Sequence, residues 1–169
     1  MHIGLIIYGH LDALTGGWIY DRLMVEHLRA QGHTVEVISL KQRNYVRNLA
    51  DNFSPSFYRR LLDHDCQLLL QDGLAHPSLV GLNQRIKRRR TCPLVTIVHQ
   101  VLCRQPLKRY QQLIYQAVER RYFKSVDGFI FNSETTRANV ETLVGRQRPA
   151  VVAYPGGDRL GCLASDAVV

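Results

Sequence analysis

Residues 1–33 constrain the fold of this chain more than any other stretch. They open with an unbroken apolar run, residues 3–8, that is too short to span a membrane. A loop containing Gly9, Gly16 and Gly17 follows, and hydrophobic residues then recur at helical spacing as far as Gly32, which can end a helix in the left-handed conformation. The pattern predicts a strand, a glycine loop and a helix. A strand as apolar as this one indicates burial on both faces, as in a parallel sheet. A glycine loop that opens a helix can bind an anion or a sugar hydroxyl.

The alternation of strand and helix continues along the rest of the chain. Further short apolar runs end in turn residues, and segments with helical periodicity or a helix-initiating proline lie between them. This order predicts an α/β fold, a Rossmann-like parallel sheet with helices on both faces. The predicted strands are residues 3–8, 34–39, 67–71, 93–98, 127–132 and 150–154, and the predicted helices include 57–62, 77–90 and the segment that Ser133 caps.

The helix predicted to begin at Pro106 is long and amphipathic. One stripe is apolar, and the opposite face is polar and mostly basic. The apolar stripe consists of Leu107, Tyr110, Leu113, Ile114, Ala117 and Val118, and the polar face carries Lys108, Arg109, Gln112, Glu119 and Arg120.

The composition fits one globular domain, which we place at residues 1–158, followed by a tail at 159–169. The net charge of +8 favours anionic partners, which are phosphate groups, an acidic membrane surface or nucleic acid.

The sequence lacks the pattern of a signal peptide and has no run long enough to cross a bilayer. The cysteines show no close pairing, which indicates reduced thiols in a cytoplasmic protein; they are Cys66, Cys92, Cys103 and Cys162.

Polar residues follow the predicted strands at the point where each strand ends. Ligands of such sheets bind outside the carboxyl ends of the strands, so these residues should meet at one edge and hold a sugar or a phosphate. The loop before Gly16 is not the glycine fingerprint of a dinucleotide site, and the sequence has no phosphate-binding P-loop. The residues in question are Gly9, His10, Gly16 and Gly17 after the first strand, then Asp72, His99, Gln100, Asn132, Ser133 and residues 154–158.

Several of these motifs resemble the amino-terminal half of the family 4 glycosyltransferases. That family usually has a paired-glycine loop, a helix and then a strand of the form GH-x-V-x-V, which residues 16–17 and 32–37 match. Residues 95–99 resemble its strand ending in histidine, and residues 130–134 its strand ending in serine before a helix. Residues 154–158 resemble its P-N-G-V-D segment, with Gly156 in place of asparagine and Gly157 in place of valine.

The resemblance implies one half of a GT-B enzyme, in which two Rossmann-like domains face each other across a cleft. Such an enzyme would transfer a hexose from a nucleotide sugar to an acceptor hydroxyl, with retention, without a metal or other cofactor and without a protein nucleophile. It implies that Gly16 and Gly17 lie near the donor phosphates and that His99 touches the donor sugar. The amino-terminal domain would bind the acceptor, which in many such enzymes is lipid-linked. The chain ends where the donor-binding domain would begin, so we expect it to be inactive alone, as a fragment, a truncated product or one partner of a split enzyme.

Each candidate site residue also has a plain structural interpretation. Gly16 and Gly17 can form a flexible turn, His99 can cap its strand, and Asp72 can be a turn residue. Ser133 is most simply the N-cap of the following helix, with a ligand contact as the second interpretation.

The basic residues leave a second function open. Residues 85–90 lie at a predicted helix end, where cations are favoured, but with Arg59, Arg60 and the helix after Pro106 they could form a patch for an anionic membrane surface. The alternative function is therefore a non-catalytic basic domain that binds a membrane surface or polyanions, peripheral to the inner membrane face. Nucleic acid is not expected as a partner, because no recognised motif is present. Apolar surface meant for a second domain should favour self-association.

Overall fold

The computed structural model describes residues 1–12, 16–145 and 148–156, and these form one six-stranded parallel sheet with helices on both faces. The strand order is β2-β1-β3-β4-β5-β6. The predicted fold class is thereby confirmed, with strand positions close to those expected. The strands are β1 (His2–Tyr8), β2 (Thr34–Leu40), β3 (Leu68–Asp72), β4 (Leu94–Val98), β5 (Gly128–Phe131) and β6 (Ala150–Val152).

The helices connect successive strands. Within the described residues they are α1 (Gly16–Ala30), α2 (Tyr45–Leu49), α3 (Pro55–Asp63), α4 (His76–Leu79), α5 (Leu82–Lys87), α6 (Arg109–Phe123) and α7 (Glu134–Val144). Short 3₁₀ turns lie at Ala50–Phe53, Gly73–Ala75 and Leu102–Arg104. None of these described helices is long and apolar enough to cross a membrane.

The central strands β1, β3, β4 and β5 are largely buried on both faces, as the apolar first strand predicts, whereas the edge strands β2 and β6 have exposed residues. Alternate residues of β1 point to opposite faces. Ile3, Leu5 and Ile7 pack with Val25 of α1 in the smaller core. Ile6 and Tyr8 belong to the larger core, together with residues of α3, α4, α5, α6 and α7.

The prediction of a single helix over residues 77–90 is wrong. The chain forms two short helices there, and they are separated at Val80 and Gly81. The side chain of Asn52 causes the break. Its Oδ1 accepts hydrogen bonds from the backbone N–H groups of Gly81 (2.7 Å) and Leu82 (3.2 Å), and its Nδ2 donates to the carbonyl of Pro77 (2.7 Å). A Cβ at position 81 would lie 3.2 Å from Asn52 Oδ1, so glycine provides the space that this contact needs.

Helix α6 begins at Arg109 rather than at Pro106, and its predicted apolar stripe is not its buried face. Tyr110, Leu113 and Ile114 are half or more exposed, at 60%, 61% and 50%. The helix is buried instead through Glu119, Tyr122 and Phe123.

Glu119, which the sequence places on the polar face, is buried because it caps a neighbouring turn. Its carboxylate accepts hydrogen bonds from the backbone N–H groups of Leu102 (2.6 Å) and Cys103 (2.9 Å). Burial raises the pKa of Glu119, and these two N–H donors oppose that rise. The apolar pattern could not reveal a carboxylate whose partners lie in another segment.

The end of the chain is described only in part. Strand β6 ends at Val152, whereas the sequence predicts a strand up to residue 154. Gly157, Asp158 and the tail at 159–169 lie outside the described residues. Cys66, Cys92 and Cys103 form no disulfide within the described residues, and Cys162 lies outside them.

Asn52 should be one of the most important polar residues for stability. We expect Asn52→Ala to lower the free energy of unfolding by roughly 3 kcal/mol, because it leaves buried N–H and C=O groups without partners. Asn44 provides the matched control. Its Oδ1 only caps the exposed N-terminus of α2, through the N–H of Arg47 (2.9 Å), so Asn44→Ala should cost about 1 kcal/mol. Urea unfolding of both variants measures the difference, and equal losses would contradict the role assigned to Asn52.

Candidate functional site

A cleft of about 600 Å³ lies at the carboxyl edge of the sheet. From β1 the chain adds β2 on one side of the sheet and then β3 on the other, so the strand order reverses between β1 and β3, and ligands of open α/β sheets bind at such a point. The cleft is therefore where the sequence predicts it. Its lining residues are Gly16, Gly17, Trp18, Tyr20, Gln42, Asp72, Leu74, His99, Gln100, Asn132 and Pro155.

His99 is held in the cleft by a buried carboxylate. It follows β4, and its Nε2 lies 2.9 Å from Oδ1 of Asp21, a fully buried residue of α1. Tyr20 packs the edge of its ring against His99, with the ring centroids 5.2 Å apart. With Nε2 engaged by Asp21, the atom of His99 that can serve a ligand is Nδ1.

Asp21 is the site residue that sequence reasoning missed. One signal in the sequence could have identified it. Asp21 stands directly beside the apolar positions of α1, one helical turn after Gly17, and a polar side chain that is buried there needs a hydrogen-bond partner. Its Oδ1 has that partner in His99. Its Oδ2 is buried and has no hydrogen-bond partner among the described residues.

Asp72 completes a cluster of three titratable groups. It ends β3, is 1% exposed, and its Oδ1 accepts a hydrogen bond from the N–H of Leu74 (2.9 Å). One ligand atom from each of Asp21, Asp72 and His99 lies within 4.8 Å of the other two. Such a set could hold a cation. It could equally share a proton, because the imidazole of His99 is already hydrogen-bonded to the carboxylate of Asp21.

The pKa values within the cluster move in the same direction. Burial and then the charge of Asp21 raise the pKa of Asp72 to about 7. For His99, burial alone would lower the pKa, but the hydrogen bond and charge of Asp21, together with the charge of Asp72, raise it above its ordinary value. Both shifts favour the protonated forms of Asp72 and His99.

The paired glycines lie beside this cluster. Helix α1 begins at Gly16, so its first backbone N–H groups and the positive end of its dipole are at the cleft. A Cβ at Gly17 would lie 3.4 Å from Cδ2 of His99, whereas a Cβ at Gly16 would meet nothing within 4 Å. The absence of a side chain at Gly17 thus leaves one side of the imidazole uncovered, whereas Gly16 is not in contact with the imidazole.

Of the residues after β5, Asn132 lines the cleft and Ser133 does not. Asn132 Nδ2 donates to the carbonyl of His99 (3.0 Å), which fixes the main chain on which the imidazole stands. Ser133 caps α7, with its Oγ accepting from the N–H of Thr136 (3.2 Å). The structure therefore brings together Gly16, Gly17, Asp72 and His99, and it leaves Ser133 in its structural role.

The sequence model of Glycosyltransferase Family 4 matches residues 16–159. This match covers most of the chain, so the chain belongs to that family. It extends from the glycines that open α1 past the end of β6, and it includes every residue that lines the cleft. Comparison with curated protein sequences found no match.

Asp72 should make the stability of the protein depend on pH. A carboxyl whose folded pKa is raised stabilises the fold in its protonated form. This contribution is complete below about pH 4, the ordinary pKa of aspartate, and is lost as the pH rises through the folded pKa of about 7. Asp72→Asn keeps the acceptor for Leu74 and removes the charge. The two pKa values differ by about three units, so between pH 4 and pH 8 the native chain should lose on the order of 4 kcal/mol of stability that Asp72→Asn does not lose.

Urea unfolding at both pH values measures this difference, and Asp12→Asn, at an exposed aspartate, is the control. Equal pH dependence of the native chain and Asp72→Asn would show that Asp72 is ionised throughout this range.

Proposed function

We propose that this chain is the acceptor-side domain of a retaining glycosyltransferase that transfers a hexose from a nucleotide sugar to an acceptor hydroxyl. The observation that carries the proposal is the position of His99, held at Nε2 by buried Asp21 and uncovered beside Gly17, at the start of α1. Family membership supports the glycosyl-transfer chemistry. The hexose, the nucleotide and the acceptor are not identified by these residues.

In the proposed complex, the chain contributes two kinds of contact to the donor. The N–H groups and the dipole of α1 at Gly16 and Gly17 favour the negative charge of the donor phosphates. His99 donates from Nδ1 to a sugar hydroxyl, and Asp21 fixes the orientation of its ring. Gln42, Asp72 and Gln100, which line the same cleft, are available to hydroxyl groups.

The proposed reaction needs no protein nucleophile and no metal. The bond between the anomeric carbon and the phosphate oxygen breaks, and the acceptor oxygen forms the new bond on the same face of the sugar. The acceptor proton passes to the leaving phosphate oxygen. The residues of this chain act by orienting the two substrates and by stabilising charge.

The donor-binding half of the cleft is assigned to a second domain, on the same chain or on a partner. An apolar groove next to the cleft is the surface that we expect this domain to cover. Tyr154 is 65% exposed and Leu23 is 43% exposed along it. The groove is lined by Gly16, Ile19, Tyr20, Leu23, Met24, His27, Tyr154, Pro155 and Gly156.

Two matched substitutions test the donor contacts. Gly17→Ala places a methyl group against the ring of His99, so it should weaken binding of a nucleotide sugar about fivefold to tenfold, whereas Gly16→Ala has free space and should have little effect. His99→Ala should weaken binding about tenfold, because it removes the hydrogen bond to the sugar and the ring contact beside Gly17. Saturation-transfer NMR with a panel of nucleoside-diphosphate hexoses measures each affinity.

The proposal is refuted if every nucleotide sugar binds the native chain and His99→Ala equally. Equal affinities of Gly16→Ala and Gly17→Ala would reject the contact at Gly17 alone. Circular dichroism of each variant checks that the fold is intact.

A second candidate function, binding to an anionic membrane surface, is favoured by the exposed stripe of α6. Tyr110, Leu113 and Ile114 are at the spacing of one helix face and are exposed, and basic Lys108 and Arg109 adjoin them. Exposed apolar side chains next to cations suit the boundary of an anionic leaflet. This property is compatible with transfer to a lipid-linked acceptor, and it would place the protein at the inner membrane face.

Vesicle flotation tests this second function. The native chain should float with vesicles that contain an anionic phospholipid and should be released by high salt. Leu113→Gln should bind roughly tenfold more weakly because it removes apolar area, whereas Leu23→Gln, another exposed leucine, should bind as the native chain does. Equal flotation of both variants would exclude the stripe as the binding surface.

A further inference from the structure

The amino-terminal edge of the sheet, opposite the cleft, brings together two histidines and a glutamate. His2 begins β1, Glu36 lies in β2 and His64 directly follows α3. In the parallel pairing of β1 with β2, Gly4 lies opposite Glu36. Because residues two apart on a strand share a face, His2 and Glu36 project from the same side of the sheet.

Gly4 provides the space for the third side chain. A Cβ at this position would lie 3.5 Å from Cε1 of His64 and only 2.9 Å from Cδ1 of Leu69. Without a side chain at position 4, the ring of His64 lies over the strand. It comes within 5.6 Å of the ring of His2, measured between centroids.

The three side chains present their ligand atoms at distances suited to one metal ion. Glu36 Oε2 lies 3.4 Å from Nε2 of His64 and 3.8 Å from Nε2 of His2, and all three ligand atoms lie within 4.8 Å of one another. Tetrahedral zinc with bonds of about 2.0–2.2 Å separates its ligand atoms by roughly 3.4 Å. Small side-chain rotations would therefore bring these atoms to the zinc geometry.

One of these atoms is buried without a hydrogen-bond partner. The side chain of His64 is 6% exposed, and its Nε2 makes no hydrogen bond within the described part of the chain. A buried polar atom of this kind is unfavourable unless something binds it. His2 and Glu36 are 35% and 57% exposed, so an ion can reach the other two ligands of the cluster from solvent.

We propose that His2, Glu36 and His64 bind a divalent transition metal, with Zn²⁺ as the best match to two imidazoles and a carboxylate. Water would complete the tetrahedron on the exposed side. The ion would join β1, β2 and the end of α3, and so act as a structural clamp. The site is far from the carboxyl edge of the sheet, so this inference does not depend on the proposed transferase function.

A simple ion pair between protonated histidines and Glu36 is the competing interpretation. The two differ in their dependence on protons, because a histidine that binds a metal must be neutral. Zinc affinity should therefore fall as the pH is lowered, because protons compete with the metal for the imidazole nitrogens, whereas an ion pair would strengthen.

Calorimetric titration of the full metal-free chain with Zn²⁺ at pH 7.5 tests the site. We expect one ion per chain and a higher midpoint of thermal unfolding when it is bound. Glu36→Gln should weaken binding at least tenfold, and Glu26→Gln should not, although the two glutamates are similarly exposed, at 57% and 60%. His2→Gln provides an independent second variant whose side chain is also partly exposed.

Titration with Co²⁺ identifies the ligands directly. Ligation by histidine and carboxylate should give a weak visible spectrum without the ultraviolet charge-transfer band of a cobalt–thiolate bond. Absence of zinc binding, unchanged affinity in both Glu36→Gln and His2→Gln, or a thiolate band from Cys66 or Cys92 would each overturn the proposal.

Discussion

Burial of the central parallel strands on both faces is the constraint on which the rest of this structure depends. A strand covered on both sides has no place for an unpaired polar side chain, so the chain puts its polar chemistry at the strand ends. Two polar side chains do lie within buried strands, and both have hydrogen-bond partners. Gln71 and Thr96 lie within β3 and β4 and are fully buried, but Gln71 exchanges two hydrogen bonds with Asn83 (2.9 and 3.1 Å), and the hydroxyl of Tyr122 contacts both Gln71 and Thr96.

The same constraint explains why the fold and the location of the cleft could be predicted from the sequence. Apolar runs identify the strands, and residues that directly follow a strand must lie at its carboxyl end. Asp72 and His99 meet for this reason, although they belong to different strands. The paired glycines are at the cleft because α1 starts where β1 has ended.

Contacts between distant segments could not be predicted in this way. Asp21 is separated from His99 by 78 positions, and nothing in either local pattern specifies the other. Asn52 breaks a helix that begins well after it in the sequence, and Glu119 is buried by two backbone groups of a turn that precedes its helix. In each case a polar side chain satisfies backbone groups or a ring elsewhere, which is a tertiary effect that overrides local periodicity.

Tyr20 links the interior of the cleft to the segment that follows the last strand. Its hydroxyl donates to the carbonyl of Ala153 (3.0 Å), and its ring rests edge-on against His99. The backbone that follows β6 is thus tied through Tyr20 to the ring that packs against His99, so the last described segment helps to hold the imidazole in place.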